Sequence, residues 1–113
     1  MEISRLEKLQ EFIKNEPNDP FLKYALATEH LRLNQTEKAL EYYEDLVNSH
    51  RDYAGTYYHL GKLYEALGRK DDAIKTYETG MIVTKEQRNN HAFSELQGVY
   101  NELTGFGDDE DDY

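Results

Sequence analysis

The side chains in this sequence with the most chemistry open to them are four histidines, His30, His50, His59 and His91. A metal site built on a helix needs a second ligand on the same face, three or four residues away. No two of these histidines have that spacing. His59 shares a face with Lys62 and His30 adjoins Glu29, but neither pair makes a ligand set. The chain has no cysteine, which excludes disulfides and thiolate metal sites. It has no glycine-rich phosphate loop, and no serine or lysine beside a base that would make it a nucleophile. Asp71 and Asp72 are adjacent, but they follow Gly68 and open a helix, where carboxylates complement the dipole. The expectation is a protein that is not an enzyme and holds no cofactor and no metal. His30 reads as a core side chain and the other histidines as solvated.

Composition narrows the partners. The 113 residues suit one domain, and 32% charged with 38% hydrophobic residues allows a modest core. Net charge is −10, from 23 acidic and 13 basic residues, and no basic stripe offers itself to a phosphate backbone. Nucleic acid is therefore not an expected partner. No apolar run approaches the length of a membrane span, and "MEISRLEKLQEF" lacks the apolar segment of a signal peptide. A soluble, cytoplasmic protein with no membrane partner is expected. The final "GDDEDDY" concentrates carboxylates that repel one another and have nothing apolar to bury, so the tail is expected to be disordered.

The elements that must position any site read as six helices. Proline occurs only at 17 and 20, and apolar residues recur at helical spacing almost throughout. The first helix covers about 2–15, with Ile3, Leu6, Leu9, Phe12 and Ile13 on its apolar side, and stops in "NEPNDP". Asp19 is expected to cap the second, with Pro20 at its first position; that helix runs to about Leu33 and turns at Asn34. The third starts near Thr36, whose hydroxyl is expected to cap it, and continues through Leu46 and Val47. The fourth spans about 53–67 and ends at Gly68, and the fifth runs from about Asp71 to Thr84. The sixth covers about 87–103, with Phe93, Leu96, Val99, Tyr100 and Leu103 on one side, and ends at Gly105 and Gly107.

These helices come in pairs, and the pairs repeat. Leu26 and Leu60 are 34 residues apart, as are Ala27 and Gly61, Ala39 and Ala73, and Tyr43 and Tyr77. A fixed period of that length marks stacked helix pairs. Residues 54–87 carry Tyr57, Leu60, Gly61, Tyr64, Gly68, Ala73 and Tyr77, a pattern that resembles the tetratricopeptide repeat. Residues 20–53 are similar more loosely, with Lys23 in place of the first aromatic and His30 in place of the tyrosine. Residues 2–17 look like the second helix of a truncated repeat, ending on the family's proline at Pro17. Phe93, Leu96 and Tyr100 look like the first helix of a further unit, shifted by two residues, with Gln97 where the small residue belongs.

The resemblance implies an all-α, right-handed helix-turn-helix repeat solenoid of about six helices. It implies one domain over 1–104, made of a half repeat (2–17), two repeats (20–53 and 54–87) and a capping helix (88–104), followed by the tail 105–113. Gly61 would then face Ala73 where two helices cross closely, and Ala27 would face Ala39. The first helix of each pair would line a concave surface that binds an extended peptide or a partner helix. Tyr24 and Thr28, then Tyr58, Lys62 and Glu65, then His91 and Ser94 would lie along that surface, and the repeat core would not need the rings of Tyr24 and Tyr58. The basic clamp of chaperone-binding relatives is not reproduced, since only Lys62 is suitably placed. The implied function is a non-enzymatic module that binds another protein or a peptide. The alternative is a structural unit that pairs with a second copy through the apolar flank of helix 2–15, as a homodimer.

Overall fold

Local capping chemistry sets where the first helices start. Ser4 and Glu7 form a reciprocal cap, each side chain accepting the other's backbone N–H at 3.1 Å. In the computed structural model, which describes residues 4–105, the first helix therefore begins at Arg5 and not at residue 2. Ile3 and the acidic stretch 106–113 lie outside the described residues. Asp19 caps the second helix as expected, its Oδ1 accepting from the N–H of Phe21 at 2.9 Å and of Leu22 at 3.4 Å, with Pro20 at the first position.

The described residues form six helices and no strand: α1 Arg5–Asn15, α2 Pro20–Arg32, α3 Thr36–Ser49, α4 Gly55–Ala66, α5 Lys70–Glu86 and α6 Asn90–Thr104. The cap of α3 and the start of α6 differ from the sequence reading. Thr36 is the first residue of α3 and its hydroxyl does not cap it. The sixth helix starts at Asn90 and not at 87, because Arg88 takes a left-handed φ of 58° and Asn89 then caps through its side chain, which accepts from the N–H of Ala92.

One device ends three of the helices. After α2, α4 and α5 a residue with positive φ follows the cap: Asn34, Gly68 and Arg88. The next N–H then reaches back to the carbonyl five residues earlier, Gln35 to His30, Arg69 to Tyr64 and Asn89 to Thr84. These are Schellman closures, which satisfy carbonyls that the helix end would orphan.

The chain divides between Tyr53 and Ala54 into two compact units. In the first, Leu9 of α1 packs with Leu22, Ala25 and Leu26 of α2, and Ala39, Tyr43 and Leu46 of α3 are fully buried. In the second, Tyr57, Leu60, Ala73, Tyr77, Val83 and Leu96 are the most deeply buried apolar side chains. Gly61 does sit at a close crossing, and the side chain nearest to it is that of Tyr77. A Cβ added there would stand 2.1 Å from Cε1 of Tyr77, whose ring supplies all three nearest atoms. A second such point lies at Gly80, where a Cβ would meet Cβ of Tyr57 at 2.5 Å and Cδ1 of Leu96 at 2.9 Å.

Candidate functional site

In the second unit, α4 and α6 frame a shallow groove lined by Tyr58 from α4 and Ser94, Glu95, Gly98, Val99 and Glu102 from α6. The Tyr58 ring is half-buried and sits 5.6 Å from the ring of His59, edge to face. Desolvation holds His59 below the usual imidazole range, against the opposing pull of Glu95. Lys62 is exposed, with Nζ 3.9 Å from a Glu65 carboxylate oxygen. Glu65 also accepts a hydrogen bond from the Tyr77 hydroxyl. Burial first, and then that bond, push Tyr77 far above the ordinary phenol value, with Tyr58 and Glu102 adding to the effect. Glu65 is thus tied to the core through Tyr77. His91 is almost fully exposed, with Nε2 3.5 Å from Glu95, and Ser94 lies in the groove itself.

In the first unit the expected residues are used differently. The ring of Tyr24 is half-buried, 6.2 Å from the ring of Tyr43 and 5.6 Å from that of Tyr53. Burial, followed by these two phenols, pushes the Tyr24 hydroxyl up. The ring therefore helps fill this unit, contrary to the expectation that the core does without it. Thr28 is exposed, but its hydroxyl donates to the Tyr24 carbonyl at 3.0 Å and lies 3.2 Å from the Tyr43 hydroxyl. Two of the histidines also have defined roles. His30 is buried as expected, its Nδ1 2.7 Å from the Gln35 side-chain oxygen and its ring stacked on Tyr42. His50 is not solvated as expected: it is half-buried, with Nε2 3.3 Å from Nζ of Lys23. No group of three or more histidine, aspartate or glutamate side chains able to hold a metal ion occurs among the described residues. None of the described helices is long and apolar enough to cross a membrane.

The tetratricopeptide repeat model of sequence matches residues 24–80. The chain belongs to the tetratricopeptide repeat family. A solution structure of a tetratricopeptide repeat domain protein from Salinibacter ruber is 50% identical to it, covers 79% of this chain and 90% of its own, and superposes with a TM-score of 0.76. A crystal structure of a tetratricopeptide repeat domain protein from the same organism is also 50% identical, over 78% of this chain and 99% of its own, with a TM-score of 0.74. A solution structure from Bordetella parapertussis shares the fold at 18% identity, covering 91% of this chain and 90% of its own with a TM-score of 0.77. No curated protein matches the chain.

Tetratricopeptide repeats commonly mediate protein–protein interaction, and the family is generally a non-enzymatic interaction module. Within this repeat domain the sequence reading had named Tyr58 and Ser94 of the groove but not Glu95, Gly98, Val99 or Glu102. A signal for Gly98 was present. The same 36-residue step that relates Leu60 to Leu96 takes Tyr58 to Ser94 and Lys62 to Gly98.

Proposed function

We propose that this tetratricopeptide repeat protein is a single-domain binding module over residues 1–104, working in the cytoplasm. Its first helices α2, α4 and α6 would present side chains to an extended peptide or a helix of another protein. Tyr58, Lys62, Glu65, His91 and Ser94 would form the contact in the second unit, with Thr28 and the exposed edge of Tyr24 in the first. The observation that carries this reading is the groove between α4 and α6, which combines an aromatic ring, an apolar valine and charged flanks. Aromatic anchors beside a polar rim are the usual make-up of a contact that carries binding energy. The test is a titration of a partner captured from cell extract against wild type and Tyr58→Ala. Loss of about 2 kcal/mol or more is expected. Equal affinities would move the contact elsewhere. Tyr24→Ala is unsuited to this test, because the ring also packs on Tyr43 and Tyr53.

A second reading, self-association, has its own observation. Phe12 on α1 and Phe21 on α2 are 58% and 59% exposed, which leaves two large apolar rings open to a second copy. A homodimer through that flank would show in light scattering as a mass that doubles with concentration and stays single in Phe12→Asp.

A further inference from the structure

Three mid-helix glycines interrupt α4, α5 and α6, and internal packing explains two of them. Gly61 and Gly80 admit a tyrosine ring and a leucine that leave no room for a Cβ. Gly98 is different: a Cβ added there would meet nothing within 4 Å. Glycine weakens a helix interior, and one with no neighbour to admit leaves its backbone bare for something from outside the chain. What surrounds that bare strip decides what the visitor is. The groove over Gly98 has Tyr58 and Val99 on its apolar side and carboxylates at Glu95 and Glu102. Among the described residues no lysine or arginine lines this groove, and Lys62 of α4 is already beside Glu65. Carboxylates outnumber cations there, and the field of Glu102 reaches Tyr77 while that of Glu95 reaches His59.

We propose that the α4–α6 groove of the second unit seats a lysine or arginine side chain from a partner's peptide segment. Its aliphatic stem would lie across the bare backbone at Gly98, against Tyr58 and Val99, and its charged head would reach Glu95 at one end of the groove or Glu102 at the other. Long cationic side chains bury their stems on apolar surface in this way while the head stays hydrated or paired. An aromatic face also attracts a cation directly. The inference rests on the reading of these helices as the binding face and specifies what chemistry that face selects.

The test is an NMR titration of the full isotope-labelled chain with three capped heptapeptides that differ only in the central residue: lysine, glutamate or norleucine. The lysine peptide is expected to shift the amides of Tyr58 and of residues 94–102, with an affinity that falls as salt rises. The double variant Glu95→Gln/Glu102→Gln is expected to weaken it about tenfold. Gly98→Leu should plug the groove and abolish the shifts, while its melting temperature stays at or above wild type because the new side chain has open space. Equal shifts with the glutamate or norleucine peptide would overturn the cationic assignment and leave the binding face standing. No shift at these amides with any peptide would overturn the inference. The partner titration with Tyr58→Ala, which needs no assumption about charge, then judges the binding face on its own.

Discussion

Gly61, Gly80 and Gly98 differ in what a single methyl group would meet, and that difference sets the sign of each substitution. At Gly61 the obstacle is the Tyr77 ring, which is fully buried and held by its bond to Glu65, so it cannot swing aside freely. At Gly80 it is Cβ of Tyr57, an atom fixed to the backbone. Gly61→Ala and Gly80→Ala should each lower stability by about 1–3 kcal/mol from overpacking, with Gly80 the costlier. Gly98→Ala should raise it by about 1 kcal/mol through helix propensity alone. Urea unfolding of the three variants checks both signs at once. A charged pair allows a pH test at the same scale. Lys23 is buried, with Nζ 2.7 Å from Oδ2 of Asp45, and that hydrogen bond above all holds the Asp45 carboxyl below its ordinary value of 3.8. A depressed folded value means the stabilisation is full above the unfolded value and is lost as pH falls through the folded one. The gap in stability between wild type and Asp45→Asn should therefore be constant near neutrality and close below about pH 4. Asp45 is nearly half exposed, so the gap should be only about 1 kcal/mol. A gap that persists at pH 2 would mean that Lys23 is not what Asp45 stabilises.

At the scale of the helix, three ends share one backbone geometry but have different residues at the left-handed position. Gly68 adopts it without strain, Asn34 tolerates it, and Arg88 adopts it against the preference of an ordinary side chain. Replacing Arg88 with glycine should therefore stabilise the chain by up to about 1 kcal/mol, and Gly68→Ala should destabilise it by a similar amount. Thermal melts of the two variants, moving in opposite directions, are the measurement. The same chemistry explains which helix ends were legible. Gly68 announced the end of α4, and Asn34 that of α2, because both residue types punctuate sequences in this way. Arg88 gave no such sign. The sequence reading consequently started α6 three residues early, at 87, where the chain is still turning. Thr36 misled for a related reason: a hydroxyl near a helix start suggests a cap, yet here it is the first helical residue and Gln35 occupies the cap position without a side-chain bond.

For the whole chain, the 34-residue period made the family legible, and the exceptions to that period mark what could not be read. Lys23, Glu29 and His30 are all buried, at positions where the second repeat has Tyr57, Leu63 and Tyr64. Burying such groups is costly unless each finds a partner, and each does. Lys23 has Asp45 and His50, Glu29 has Arg32 and Arg5, and His30 has Gln35. The last pair also obeys the period, since Tyr64 carries the guanidinium of Arg69, the counterpart of Gln35, 4.6 Å above its ring. Sequence could show that these positions were polar, but apart from Arg32, three residues from Glu29 on the same helix, their partners lie beyond α2 and became visible only in three dimensions. The groove was half legible for the same reason, since its α4 residues follow the repeat while its α6 residues follow a shifted copy. That shifted helix supplies the last prediction. Leu96 and Val99 of α6 are buried in the second unit, Leu96 against the bare backbone of Gly80, and Tyr100 donates to Glu78 of α5. Burying two such side chains contributes about 3–6 kcal/mol, a large share of the roughly 5–15 kcal/mol that holds a domain together. A chain cut after Gln87 would also expose the Tyr57 and Gly80 surface that Leu96 covers. Solenoid ends left open in this way aggregate or fail to fold. Size-exclusion chromatography with light scattering and a thermal melt should show aggregation or a melting temperature well below that of the full chain, and a monomer with unchanged melting would refute the capping role of α6.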